Sequence, residues 1–75
     1  MTDNRDKAIM HFLDSRALCQ AMNIVERARL GMNSAHNESV DADRANAAMI
    51  SDEALAYYNM RYNTYINMIA AEATR

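Results

Sequence analysis

His11, Asp14 and Ser15 form the one local gathering of acid–base side chains in this sequence. Residues three and four apart share a face of a helix, so His11 could meet either neighbour there. A serine four residues from a histidine has the ingredients of an activated nucleophile. The rest is missing: no glycine-rich turn presents the hydroxyl, and no third group orients the imidazole. His11 and Asp14 could hold one edge of a metal site, but His36, the other histidine, is remote in sequence and no third ligand is evident. Neither a phosphate-binding glycine loop nor a zinc-ligand spacing occurs. Cys19, the single cysteine, lies among alanine and methionine and reads as an inert packed thiol. No catalytic residue, metal ligand or cofactor is therefore assigned, and the expectation is a protein that is not an enzyme.

Two further groups could do chemistry by binding. Arg16, Gln20, Asn23 and Arg27 follow at spacings of 4, 3 and 4. Such a row is a solvated helix face or a donor-rich strip for an anion or partner. The stretch YYNMRYNTYINM, residues 57–68, holds all four tyrosines. At 100° per residue, Leu55, Tyr58, Tyr62, Tyr65, Ile66, Ile69 and Ala73 fall on one face. Three of the tyrosines thus belong to a core stripe. Tyr57 stands apart, near Arg61. Asn59, Asn63 and Asn67 make a polar row behind the stripe. The candidates for contact with a partner or ligand are Arg16, Gln20, Asn23, Arg27, Tyr57, Asn59, Arg61, Asn63 and Asn67.

These side chains need helices to position them. The chain has no proline, one glycine and much alanine and methionine, a composition that suits helices and disfavours strands. Asp3 or Asn4 can cap a first helix over residues 4–30. Its stripe is Met10, Leu13, Ala17, Ala21, Ile24 and Ala28. Arg27 and Arg29 suit the negative end of its dipole, and Gly31 offers a stop. A polar turn follows over 31–39, then a short helix of poor periodicity over 40–49. Ser51 caps a third helix over 51–74, with Asp52 and Glu53 in its first turn and Ile50 and Leu55 placed as a hydrophobic staple. The alternative is one continuous helix from 40 to 74. The expected fold is all-α, with two long antiparallel helices and a short middle one.

The first helix also carries a second apolar side. Ala8, Phe12, Cys19, Met22 and Leu30 lie away from the main stripe, interrupted by Ser15 and Glu26. A helix that is apolar on two sides generally has two neighbours. Either the short middle helix covers this side or another chain does. A domain of 75 residues buries only about 60–65% of the surface its unfolded chain exposes, and with one cysteine it has no intramolecular disulfide to help. Oligomerisation remains, so a helical bundle built as a homodimer is expected, with Phe12, Cys19, Met22 and Leu30 at its interface.

The net charge of −2 is dispersed, with no run of lysine or arginine, which argues against nonspecific phosphate binding. No apolar run approaches the ~20 residues of a membrane span, and the polar start is unlike a signal peptide. The lone thiol fits a reducing compartment, and the expected location is cytoplasmic. The leading expectation for function is a small interaction protein, a regulator or inhibitor that binds a protein partner. One alternative is a nucleotide or small-ligand binder at an oligomer interface, with tyrosines stacking on a base and Arg61, Arg16 or Arg27 meeting phosphate. Another is a DNA-binding regulator, but Ser51-Asp52-Glu53 would set carboxylates against phosphates. In size and pattern the plan is similar to small helical-hairpin proteins that dimerise into bundles, including plasmid and bacteriophage regulators, a likeness that does not fix function.

Overall fold

The computed structural model describes residues 3–31 and 38–73. It contains three helices and, among the described residues, no strand: α1 (Asp3–Arg29), α2 (Glu38–Ile50) and α3 (Asp52–Ala73). Most of the expected turn over 31–39, including His36, lies outside the described residues, as does the last residue expected of the third helix.

Local chemistry accounts for the helix ends. Gly31 has φ of 76°, a left-handed conformation that a residue without Cβ adopts freely, and its N–H donates to the Ala28 carbonyl at 3.0 Å. That bond is one of the pair that closes a Schellman cap. Ser51 separates α2 from α3. Its Oγ accepts from the Ala54 N–H at 3.0 Å, and its carbonyl accepts from the Leu55 N–H at 3.2 Å, which starts α3. Its own N–H donates to the Ala47 carbonyl at 3.1 Å, the last bond of the α2 ladder. One residue therefore ends one helix and caps the next, and residues 38–73 form two helices rather than one.

The reversal at Ser51 changes the expected arrangement. Asp43 and Arg44 of α2 meet Tyr58 and Asn59 of α3, so these two helices are antiparallel. Asp43 also meets Arg16 and Gln20 of α1, while Ile50 shares a cleft with Ile9 and Met10, so α2 is antiparallel to α1 as well. Two reversals restore the original direction, and α1 and α3 run parallel. Asp6 and Ile9 line that cleft with Glu53 and Ala54; Asp14 meets Arg61 and Tyr65; Met22 and Val25 line a groove with Ile69 and Glu72. The expectation of two long antiparallel helices is thus corrected: the antiparallel partner of each long helix is the short α2. The parallel pair α1–α3 makes the most extensive contact.

The core is small. Leu13 and Ala17 of α1, Val40 and Ala47 of α2, and Ala54 and Tyr58 of α3 form one buried cluster, with Ile9, Leu55, Tyr57, Tyr62 and Tyr65 packed around it. Alanine dominates the inner positions, which lets the helices approach closely but buries little apolar area per residue. In α2 the inward positions are Val40, Asp43 and Ala47, a charge flanked by small residues, so the periodicity of this helix is weak for a physical reason.

Candidate interaction surface and polar clusters

Two polar clusters hold the helices in register. In the first, Asp43 of α2 receives three side chains. Arg16 Nε donates to both carboxylate oxygens at 3.3 and 3.2 Å, Gln20 Nε2 donates to Oδ2 at 3.1 Å, and the Tyr58 hydroxyl donates to Oδ2 at 3.2 Å. Gln20 and Tyr58 are buried, and the Asp43 side chain is only 11% exposed. Burial pushes the Tyr58 phenol well above its ordinary range, and the neighbouring Asp43 carboxylate pushes it further. Beside this cluster, Arg44 Nε donates to Asn59 Oδ1 at 2.8 Å while its guanidinium lies 5.5 Å from the Tyr62 ring centre. Tyr62 in turn stacks on Tyr58 with ring centres 6.2 Å apart and nearly parallel planes.

The second cluster joins α1 to α3. Arg61 Nε donates to Asp14 Oδ1 at 2.6 Å, and the Tyr65 hydroxyl donates to the same carboxylate at 2.9 Å. Arg61 also donates to the Tyr65 hydroxyl at 2.8 Å, with its guanidinium carbon 4.8 Å from that ring's centre. The hydrogen bond from Arg61 holds the Asp14 carboxyl below the usual carboxylate range, against the opposing effect of desolvation, and the Tyr65 hydroxyl adds to it.

These clusters engage several of the residues singled out as contact candidates. Gln20 is buried on Asp43 and leaves the outward strip; Arg16 makes the same contact at the edge. Arg61 and Asn59 are held by Asp14 and Arg44. Tyr57 is half-buried against the core. The Arg27 Nε is buried with no hydrogen-bond acceptor. Asn23, Asn63 and Asn67 are exposed. None of the nine lines the cleft of Ile9 and Ile50 or the groove of Met22 and Ile69. Asp14, the acid of the His11–Asp14–Ser15 group, is taken up by Arg61 and Tyr65. Among the described residues, no three His, Cys, Asp or Glu side chains cluster as metal ligands, and no helix is long and apolar enough to cross a membrane.

Sequence reasoning missed the part of Asp43, because a carboxylate in an alanine-rich helix gives no local sign of which side faces inward.

The apolar second side of α1 is the feature that the fold leaves open. Phe12 is 57% exposed, Met22 55% and Leu30 66%; Cys19 is exposed as well. Neither α2 nor α3 covers them, since α2 lies on the Arg16–Gln20 flank and α3 on the Asp14 flank. Leu18 is exposed too, nearer the α3 flank of the helix. At its far end, Met22 passes into a groove between α1 and α3, floored by Met22, Val25 and Ile69 and edged by Glu26, Arg29 and Glu72. Other exposed methionines, Met49, Met60 and Met68, lie on α2 and α3. Comparison with protein-family models, with curated proteins and with solved structures returned no match, so no functional reading comes from likeness.

Proposed function

We propose that this chain is a small non-enzymatic helical interaction protein that acts as a regulator or inhibitor by docking a protein partner on the outer side of α1. The exposure of Phe12, Met22 and Leu30 on one side of a helix whose other side is already packed carries this reading. Each large apolar side chain left wet forgoes about 1.5–3 kcal/mol relative to full burial. Several of them together approach the net stability of a domain this small. A partner that covers them recovers that free energy, and the methionines adapt to its shape. Homodimerisation belongs to the same reading, because a second copy presents the same uncovered side. The nucleotide-binding alternative draws less support, since Tyr58, Tyr62, Tyr65 and Arg61 are engaged within the fold.

Affinity capture from cell lysate with wild type and Phe12→Asp as parallel baits tests the reading, alongside sedimentation of both at micromolar concentration. A partner, foreign or self, that is held by wild type and lost with Phe12→Asp is the expected result, because the substitution buries an unpaired charge. Equal behaviour of the two proteins in both measurements would overturn it.

A further inference from the structure

Ser51 alone stands between α2 and α3. Its two backbone bonds, to Ala47 and from Leu55, each join residues four apart, the spacing of an unbroken α-helix. The break interrupts three ladder bonds. In a continuous helix the N–H groups of Asp52, Glu53 and Ala54 would donate to the carbonyls of Ala48, Met49 and Ile50. Folded back, Ala54 donates to the Ser51 hydroxyl instead, and Asp52 and Glu53 make no backbone bond to α2. No proline or glycine occurs between residues 38 and 73, so nothing in the sequence forbids straightening.

What keeps α2 folded back is its seat on α1 and α3. Val40 and Ala47 are its buried residues, and neither is large. Met49 and Ile50 are exposed. The apolar hold is therefore slight. The seat works largely through Asp43, which accepts from Arg16, Gln20 and Tyr58, and through Arg44 on Asn59. None of these contacts requires that α2 belong to the same chain. We propose that two copies exchange α2: residues 38–73 straighten into one helix, and the α2 of each copy fills the seat on α1 and α3 of the other.

The direction of α2 permits the exchange. Within one chain α2 is antiparallel to α3. Two straightened helices that cross near their Ser51 residues about a twofold axis are antiparallel as well, so α2 of one copy meets α3 of the other in the orientation it has at home. The contacts of Val40, Asp43, Arg44 and Ala47 then recur between copies. Each copy gains the three ladder bonds and gives up the cap bond at Ser51. Exchange of an identical element is a low-cost route to a dimer, and a short hinge favours it. The outer side of α1 takes no part, so this inference stands apart from the docking surface proposed above.

Spin labels at Ser39→Cys and Asn63→Cys, with Cys19→Ser, read the exchange. Both positions are exposed, and each lies 12 residues from Ser51. Folded back, they are level on neighbouring helices, whose axes lie about 8–10 Å apart. On a straight helix they are about 36 Å apart. Labelled chain is mixed with excess unlabelled chain, and the two are unfolded and refolded together at millimolar concentration, so the distance measured lies within one chain. A dimer with an intrachain distance near 36 Å is expected. Ser51→Ala, which favours the straight helix, should raise the dimer's share several-fold at fixed concentration, and a short glycine insertion after Ser51 should remove it. Phe12→Asp should leave it unchanged. A dimer in which the two labels of a chain stay close would overturn the exchange, and its loss with Phe12→Asp would assign the pairing to the outer side of α1. A wild type that stays monomeric after this refolding would overturn the exchange outright and leave the docking surface to its own test.

Discussion

The hydroxyl of Tyr58 stands 3.2 Å from Oδ2 of Asp43, so a fully buried ring of α3 ends on the carboxylate of α2 that Arg16 and Gln20 of α1 also hold. All three helices meet at this one charge. Removing it by Asp43→Ala leaves the Gln20 amide and the Tyr58 hydroxyl buried without a partner, at about 1–3 kcal/mol for each such group. In a domain of this size, each kcal/mol lowers the melting temperature by roughly 4–8 °C. Asp43→Asn keeps an acceptor and is expected to cost less. Thermal melts followed by circular dichroism read both, and an unchanged midpoint for Asp43→Ala would remove the cluster from the account of stability.

Tyr58 also predicts an alkaline limit. Burial raises its phenol above the ordinary value of 10.0, so the folded state holds the proton more tightly than the unfolded one. That contribution to stability is complete below pH 10 and is lost as pH rises above it, because the unfolded chain ionises first. Denaturant unfolding between pH 8 and pH 12 should show a midpoint that falls from about pH 10 upward. In Tyr58→Phe the fall should be shallower, from a lower starting midpoint. An identical slope in the two proteins would assign the effect to other groups.

Asp14 predicts the acid side with the opposite sign. Its carboxyl is held below the ordinary 3.8 by the hydrogen bond from Arg61. Stability from this site is therefore present above pH 4 and is lost as pH falls through the lowered folded value. Both side chains are about 30% exposed, at 31% for Arg61 and 28% for Asp14, so salt screens part of the pair. Asp14→Asn is expected to flatten the dependence of the unfolding midpoint between pH 5 and pH 2. Retention of the full wild-type slope would show that Asp14 does not carry it.

The helices were legible because their signals are local. Ser51 caps within three residues, and Gly31 ends α1 through its own backbone. The long stripe of α1 is legible for the same reason: Leu13, Ala17 and Ala21 recur at spacings that any helix must present on one side. The relative direction of the long helices is not local. It depends on counting reversals, and a middle helix of weak periodicity hides the second one. Gln20 is harder still. Its spacing fits the row of Arg16, Asn23 and Arg27, and only the approach of Asp43, 23 residues away, decides that it lies inside. Polar residues at helix–helix seams carry no hydrophobic signature, so periodicity alone assigns them to water.

Ser51 supports the last prediction. It accepts the Ala54 N–H through its side chain and bonds both helices through its backbone, so it holds α2 folded back on α3. Replacing an N-cap serine by alanine costs about 0.5–2 kcal/mol, whereas glycine costs only a few tenths. Ser51→Ala also raises helix propensity at the break, which favours the continuous helix that would carry Asp43 away from Arg16, Gln20 and Tyr58. Both effects act in the same direction. Ser51→Ala should lower the melting temperature by several degrees at about 4–8 °C per kcal/mol, and Ser51→Gly should lie close to wild type. The order is the reverse of the two residues' helix propensities, which makes it diagnostic. If alanine proves the more stable substitution, the turn at Ser51 is not held by its cap, and the antiparallel placement of α2 must draw its stability from its tertiary contacts, those of Val40, Asp43, Arg44 and Ala47.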